Sequence, residues 1–396
     1  MFLFGNDDAV SYGVLIDISS GSVGIAIAES NPKSPTPAIL YSERISMRIT
    51  KHGAEESENI RRIKETLFSA SLTLSQDGIK ALHEHNPSAR LNKMYVTCST
   101  PWSYTTARNV YYEEDENFRV TDEIIDDLVK GAESEMLSEA TDAEHIKGDV
   151  FEIVERATID YTINDYAIEN PRKLMGKTFG LTHIGGLVPS EIFDSIEEIH
   201  TKFFPQTELK VHTYMFAMYC VLRDLFPAYP SLLIIDVTAE TTEYALVEDS
   251  ILIENTFTAS GGSSFIRDTM TETGQPASDI QSLMSTESGT THLDSSTIAQ
   301  SIDTYKKQVS EMILKLQEKK IVPNTVVVTS QMPYEYFFAS IILDCLETHF
   351  EKKPKVLDLK QEIQKISSFG SEIDVYLMIL TQFFHKSHKC GELSER

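Results

Sequence analysis

Two segments of the chain repeat one pattern: an apolar strand that ends in an aspartate, a turn of small or hydroxyl-bearing residues, and a second apolar strand. The first copy runs from Asp17 to Ile27, and the second runs from Asp236 to Val247. Small residues in a tight turn let backbone N–H groups approach phosphate oxygens, and hydroxyl groups add donors. An aspartate at the strand end can hold a magnesium ion through water. The repeat therefore predicts two hairpins that face each other across a nucleotide and its metal.

Each hairpin taken alone is weak evidence for such a site. An aspartate followed by serine and glycine, as in Asp17–Gly21, is more often an ordinary β-turn. The recurrence of the same design, with a long helical and strand-rich stretch between the copies, favours the nucleotide interpretation over two unrelated turns.

The sequence around the hairpins predicts strands and helices arranged in several lobes. Alternating apolar residues predict the first hairpin over Gly13–Glu29, and apolar residues at helical spacing predict a helix from Ser57 to Leu82. The run Leu232–Asp236 is typical of a strand buried on both faces. An apolar stripe predicts a long helix from Ile298 to Lys319. With 396 residues, the chain is long enough for two or three domains.

The charge balance restricts the expected partners. Lysine and arginine total 35 against 60 aspartate and glutamate, which gives a formal net charge of −25. An evenly spread negative charge repels phosphate backbones, so nucleic acid is not an expected partner. Scattered cysteines fit a reducing cytoplasm. Because no apolar stretch reaches spanning length and Tyr376–Phe384 reads as a core helix, we expect membrane contact only through a partner.

The order of these elements resembles the actin-like ATPase superfamily, in which two phosphate hairpins precede a strand that contacts adenosine. The corresponding strand here is Thr325–Val328, which ends in Thr329 and Ser330. Between the hairpins the chain further resembles the FtsA and PilM family, whose inserted SHS2-type subdomain has a strand and a helix before a strand ending in a proline and Met-Gly turn. The segments that carry this resemblance are Arg108–Tyr112, Thr121–Glu123, Val150–Ile163, Asn170–Pro171 and Met175–Gly176.

The resemblance implies an α/β protein with a two-lobed actin-like (ribonuclease H-like) fold and an inserted α+β subdomain. It divides the chain into a first lobe at 1–100, the inserted unit at 101–187 and a second lobe at 188–396. A helical subdomain is expected at about 261–320 within the second lobe. ATP and Mg²⁺ are the cofactors that such a fold implies.

The resemblance also adds a glycine pair after the second hairpin and a serine at the end of the adenosine strand to the candidate site. Asp17 and Asp236 are the candidate metal ligands. The residues predicted to contact a nucleotide are Asp17, Ser19, Ser20, Gly21, Ser22, Asp236, Thr241, Thr242, Gly261, Gly262 and Ser330.

Several positions depart from the family pattern. Thr238, Ala239 and Glu240 stand where a glycine-rich turn is usual, and the Glu240 carboxylate would bring negative charge towards phosphate. The adenosine strand ends in Ser330 and not in paired glycines, and Thr213 stands where a glutamate is usual. We therefore expect ATP to bind weakly or not at all, and we expect hydrolysis to be slow or absent.

The resemblance implies a bacterial cytoplasmic scaffold or assembly protein of the cytoskeletal class, which acts in cell division or type IV pilus assembly. Its partners would be proteins, including further copies of the chain. The inserted unit is expected to carry the main contact, through the strand-like run Arg108–Tyr112 beside the acidic run Glu113–Glu116. Two alternatives remain open: an ATP-dependent enzyme, such as a small-molecule kinase or ATPase, and an adaptor with an inactive cleft.

Overall fold

The computed structural model describes residues 9–49, 56–142, 150–285, 295–331, 333–367, 369–370 and 372–390. The strands are β1 (Ser11–Ser19), β2 (Ser22–Ser30), β3 (Ala38–Ser46), β4 (Leu91–Cys98), β5 (Tyr104–Arg119), β6 (Phe151–Ile163), β7 (Tyr166–Ala167), β8 (Met175–Pro189), β9 (Glu208–Thr213), β10 (Leu232–Val237), β11 (Thr242–Glu248), β12 (Ile251–Thr258), β13 (Thr325–Ser330) and β14 (Lys355–Val356). The helices are α1 (Glu56–Thr73), α2 (Ile79–His85), α3 (Asp122–Asp142), α4 (Ser190–Phe203), α5 (Tyr214–Leu225), α6 (Gly262–Thr273), α7 (Ala277–Met284), α8 (Ser295–Lys319), α9 (Glu335–His349), α10 (Leu359–Ile366) and α11 (Val375–Cys390).

Two five-stranded sheets have the same design. The first has the order β3–β2–β1–β4–β9 and the second has the order β12–β11–β10–β13–β14. In each sheet three antiparallel strands formed by a hairpin and its neighbour continue into two parallel strands. The strands that end in the predicted aspartates, β1 and β10, are the central strands of their sheets. Both predicted hairpins therefore project from the middle of a sheet.

Helices cover both faces of the two sheets. The alternate residues Val14, Ile16 and Ile18 of β1 pack against α1 and α4, while Leu15 on the opposite face packs against α5 and α11. In the second sheet, one face packs against α6, α8 and α9, and the other also contacts α5 and α11. The helices α5 and α11 consequently form a shared layer between the sheets. The expectation that Tyr376–Phe384 is a core helix is confirmed.

A third sheet, with the order β5–β8–β6–β7, belongs to the unit between the hairpins. Its three long strands are antiparallel, and α3 packs on one face through two small apolar clusters. After this unit the chain returns to the first sheet, because α4 packs on α1 and β9 pairs with β4. The predicted boundary at residue 188 places α4 and β9 in the second lobe, and the structure corrects this. The sequence does not reveal this, because the apolar pattern of α4 and β9 does not indicate which of the two sheets they join.

The predicted helix from Ser57 to Leu82 is present but interrupted. A π-helical turn at Leu74–Gly78 separates α1 from α2. The Gly78 backbone lies close to β2 there, since an added Cβ atom would be 3.0 Å from Ile27 Cγ1. Among the helices of the described ranges, none combines the length and apolar character needed to cross a bilayer.

The packing of α1 on the first sheet gives a testable difference between two leucines of one helix. Leu67 is 1% exposed, whereas Leu72 is 41% exposed. We expect Leu67→Ala to lower the free energy of unfolding by about 2–5 kcal/mol, because it leaves a cavity in the core. The control Leu72→Ala should change it by about 0.5 kcal/mol or less. Urea unfolding followed by circular dichroism measures both, and equal effects would contradict this packing.

Candidate nucleotide cleft

The turns of the two predicted hairpins face each other and touch. The Ser20 hydroxyl donates to Thr238 Oγ1 at 2.9 Å and accepts from the Glu240 backbone N–H at 2.9 Å. At the same contact, a Cβ atom added to Gly21 would lie 2.3 Å from the Ala239 Cβ atom. Only glycine therefore permits this approach. The structure brings the two turns together, but they contact each other directly.

Asp17 is fully buried at the end of β1, and its carboxylate is already paired. Arg44, on β3, donates from Nη2 to Asp17 Oδ2 at 2.7 Å, and Thr97 donates to Asp17 Oδ1 at 3.1 Å. The same guanidinium donates from Nε to Asp374 Oδ2 at 2.9 Å and from Nη1 to the Ser22 hydroxyl at 2.8 Å. Arg44 therefore places its positive charge where the sequence predicted a metal ion.

The two carboxylates that share this guanidinium differ in their protonation behaviour. Burial raises the pKa of Asp17, while the nearby Arg44 charge opposes that rise. For Asp374, burial also acts to raise the pKa, but the Arg44 charge and hydrogen bonds outweigh it and hold the pKa below its usual value. One cation thus balances two buried acids.

Asp236, at the end of β10, is also fully buried. Its Oδ1 atom accepts from the Thr329 hydroxyl at 2.6 Å and from the Tyr376 hydroxyl at 2.7 Å. Its Oδ2 atom has no hydrogen-bond partner within the described residues. Burial raises the pKa of Asp236 to about 7, against the effect of these two donors. The phenol of Tyr376 therefore lies against the second predicted metal ligand.

The remaining predicted residues are also engaged or closely packed. Gln331 Nε2 donates to the Ser19 hydroxyl at 2.5 Å, the Thr241 hydroxyl donates to the Thr100 carbonyl at 3.0 Å, and the Thr242 hydroxyl donates to the Ser260 carbonyl at 2.7 Å. The Gly262 N–H donates to the Thr238 carbonyl at 2.9 Å, and a Cβ atom on Gly261 would be 2.4 Å from that carbonyl oxygen. Ser330 is buried beside them.

The positions that depart from the family pattern have partners of their own. Arg267 donates from Nη1 to Glu240 Oε1 at 2.8 Å, so the Glu240 charge is balanced within the second lobe and does not face an open phosphate site. The Thr213 hydroxyl accepts from Thr105 at 2.7 Å. Thr213 is thus a buried residue held by a hydrogen bond, and it supplies no carboxylate at that position.

The space between the turns is small. A cavity of about 110 Å³ remains there, lined by residues that include Gly21, Gly262, Gln331 and Tyr334. Small-molecule sites usually have about 300–1,000 Å³. With a guanidinium and a phenol on the two aspartates and the turns in contact, the residues present do not fit a magnesium nucleotide in this conformation.

A second and larger cavity, of about 500 Å³, lies between β6 of the inserted unit and β9 of the first sheet. Residues of α4 and α11, among them Phe193 and Phe383, also line it. At this cavity His212 Nδ1 lies 2.7 Å from Glu155 Oε1, and burial raises the pKa of Glu155. Glu155 Oε2 and His212 Nε2 have no hydrogen-bond partner within the described residues. Sequence analysis did not identify this pair, because 57 positions separate the residues.

No protein-family model matches the chain, and no curated protein matches it in sequence. Among solved structures, a chain of the PilM-PilN type IV pilus biogenesis complex matches with a TM-score of 0.53 and 13% identity, covering 95% of this chain and 98% of that chain. A Bacteroides thetaiotaomicron protein of actin-like ATPase fold and unknown function matches with a TM-score of 0.42 and 9% identity, over 90% of this chain and 93% of that chain. The ethanolamine utilization protein EutJ from Carboxydothermus hydrogenoformans has a TM-score of 0.46 and 9% identity, over 95% and 89%.

At these identities the comparison establishes the fold and nothing finer. The chain has the two-lobed actin-like ATPase fold that the sequence predicted, and its inserted unit has both strands and a helix. The narrower resemblance to FtsA and its SHS2-type subdomain stays a prediction.

The unusual pKa of Asp236 predicts a pH dependence of stability. The folded protein keeps the Asp236 proton up to about pH 7, whereas the unfolded chain loses it near the ordinary value of 3.8. Between these values the folded state binds more protons, so the contribution of Asp236 to the free energy of unfolding falls as pH rises. Asp236→Asn should remove this fall. Urea titrations at several pH values measure it, with the exposed substitution Asp303→Asn as control, and parallel curves for Asp236→Asn and wild type would contradict the burial argument.

Proposed function

We propose that the chain is an assembly scaffold that binds a segment of a protein partner in the groove between β6 and β9, and that it does so without a nucleotide. The observation that carries the proposal is the roughly 500 Å³ cavity with the buried Glu155 carboxylate at its wall. A buried carboxylate oxygen with no partner is costly, so a site that leaves one at a cavity is suited to a ligand that donates a hydrogen bond.

The strand edges beside this groove favour an extended peptide segment as the ligand. Among the strands that the structure describes, β9 is the outermost strand of the first sheet, and β6 pairs along its outer edge only with the two-residue β7. No ladder joins β6 to β9 within the described part of the chain. Open strand edges can accept an added strand through main-chain hydrogen bonds, while adjacent pockets select its side chains. The groove has both an open strand edge and an adjacent pocket.

The inserted unit remains the main protein-contact region in this proposal, as the sequence suggested, but the contact is moved from β5 to β6. β5 is an edge strand, and its start is partly covered because Asn255 Nδ2 donates to the Thr105 carbonyl at 2.9 Å. Its ladder with β8 is irregular between Glu113 and Phe118, where the acidic run lies. Charged, irregular edges discourage strand addition, so the acidic run is the weaker candidate surface.

The fold comparison supports the class of partner that we propose. The matched complex contains PilM and PilN and is described as a type IV pilus biogenesis complex. We propose an assembly role of the same class, in pilus assembly in the first place and in cell division as the second candidate. In this role the chain works in the cytoplasm and reaches the membrane only through its partner, and further copies of the chain serve as subunits of the assembly.

The enzyme alternative is less well supported by the cleft. A kinase or ATPase needs space for the nucleotide and a group that orients the attacking nucleophile at its γ-phosphate. Thr213 supplies no carboxylate, and Arg44 and Tyr376 lie on the two aspartates that would hold the metal. An adaptor whose cleft has lost nucleotide binding agrees better with these contacts.

The groove can be tested by crosslinking in the cells that produce the chain. A photoreactive phenylalanine analogue placed at Phe193, beside the cavity, should yield a covalent adduct with one main protein species. The same analogue at Tyr336, which is 66% exposed on the second lobe, is the control. Adding Glu155→Gln to the Phe193 position should lower the yield several-fold, since it removes the charged acceptor. Equal adducts from both positions, or a yield that Glu155→Gln leaves unchanged, would reject the groove.

The proposal that the chain works without a nucleotide has a separate test. Calorimetric titration with Mg-ATP should give no heat beyond dilution, and a millimolar addition should leave the melting temperature unchanged, because a ligand of the folded state would raise it. Stoichiometric binding heat would refute the proposal that the scaffold works without a nucleotide. Phosphate release that Asp17→Ala abolishes would favour the enzyme alternative.

A further inference from the structure

Polar contacts join each aspartate of the two hairpins to the start of α11. Asp17 of the first lobe pairs with Arg44, and Arg44 pairs with Asp374. Two residues further along the chain, the Tyr376 hydroxyl donates to Asp236 of the second lobe. We call Asp17, Arg44, Asp374, Tyr376 and Asp236 the closing cluster.

We propose that the closing cluster is a built-in substitute for a metal nucleotide, through which the start of α11 holds the two lobes closed. In a cleft of this fold, a ligand bound between the hairpins would link both lobes. Here the Arg44 guanidinium and the Tyr376 phenol occupy that place. Lobe closure is therefore a property of the chain itself and does not require a bound molecule.

The geometry of the guanidinium suits this role. Arg44 contacts Asp374 through two nitrogens, with Nε at 2.9 Å and Nη2 at 3.1 Å from its carboxylate oxygens. Its third nitrogen, Nη1, reaches the Ser22 hydroxyl beside the first turn. Such paired contacts fix both distance and orientation, which a lysine could not reproduce. The guanidinium also lies 5.2 Å from the centre of the Tyr376 ring, so the two parts of the cluster contact each other.

The start of α11 is itself held in place. Asp374 accepts from the Leu377 N–H at 3.0 Å and so caps the first turn of the helix. The Tyr376 ring packs against Tyr214 of α5, with ring centres 4.7 Å apart. Because α5 belongs to the layer between the sheets, its contact with the Tyr376 ring orients the phenol towards Asp236. The cluster therefore spans the lobes through side chains that have little freedom to move.

Direct contacts between the turns add to closure but differ in strength. The turns meet through neutral hydroxyl and amide hydrogen bonds, such as Ser20 to Thr238 at 2.9 Å, and beside them the Thr100 hydroxyl donates to Glu243 Oε2 at 2.5 Å. The Arg44 contacts with Asp17 and Asp374 are ion pairs, and losing one partner of a buried ion pair costs more than losing a neutral hydrogen bond. The closing cluster is thus the part of the interface whose removal should separate the lobes most.

The test is the distance between spin labels on the two lobes of the full chain. Labels attached at Glu65→Cys on α1 and Lys307→Cys on α8 occupy exposed positions, and Cys390→Ser is included in the background; Cys98, Cys220 and Cys345 are buried. Pulsed electron resonance should give one narrow distance that Mg-ATP does not alter. Arg44→Gln and Tyr376→Phe should each shift the distribution to longer distances or broaden it.

Matched variants control for general damage. Lys319→Gln breaks an ion pair with Glu254 inside the second lobe, and Tyr219→Phe removes a tyrosine hydrogen bond to the Ser250 carbonyl; both should retain the wild-type distance. If Arg44→Gln does not fold, the distance measured in the milder variant Tyr376→Phe tests the proposal. A wild-type distance in folded closing-cluster variants would overturn the proposal, as would a wild-type distance that Mg-ATP shortens. The result is independent of the crosslinking result, since neither label lies at the groove.

Discussion

One largely buried cation, the Arg44 guanidinium, holds together the side chains at the centre of the cleft. Two carboxylates, Asp17 and Asp374, are removed from water on either side of it, and neither could remain ionised there without a positive partner. Their positions tie the first hairpin to the start of α11. Everything nearby is compatible with this arrangement: the turns are in contact, the cavity between them is small, and the second aspartate receives a phenol in place of a metal.

The fold makes such an arrangement possible by placing a helical layer between two sheets of the same design. α5 and α11 pack against both sheets, so a side chain at the start of α11 can reach the central strand of either one. The sheet design brings β1 and β10 to the same place in the two lobes, and both end in an aspartate. The chain has an actin-like fold, and its own side chains fill the space between the two hairpins.

Sequence reasoning succeeded where the signal was local. The hairpin at Asp17 and its counterpart at Asp236 were predictable because alternation and turn residues are properties of short segments, and the buried strand at Leu232–Asp236 follows from its unbroken apolar run. The actin-like fold followed from the order of these segments. The departures at Glu240 and Thr213 predict weak nucleotide binding, and that expectation stays a prediction.

The closing cluster was not predictable by the same means. Arg44 reads as one charged residue in an otherwise ordinary strand, and its contact with Asp374 spans 330 positions. Tyr376 reads as one aromatic residue at the start of an apolar helix. The Glu240 charge, expected to repel phosphate, is instead balanced by Arg267, 27 residues away in the next helix. Such pairings depend on how distant segments are brought together, which a single sequence does not specify.

The position of α11 has a mechanical consequence for the whole molecule. Its first turn carries Tyr376 in the cleft, and about two turns further on, roughly 10 Å along the axis, Phe383 lines the groove beside β9. Because α11 is a single helix, a displacement at its first turn also moves Phe383. The position of α11 is therefore sensitive to changes in the cleft and to changes in the groove. Binding of a segment in the groove and opening of the cleft therefore both act on α11. If binding changes the free energy of cleft opening, opening must change the free energy of binding by the same amount.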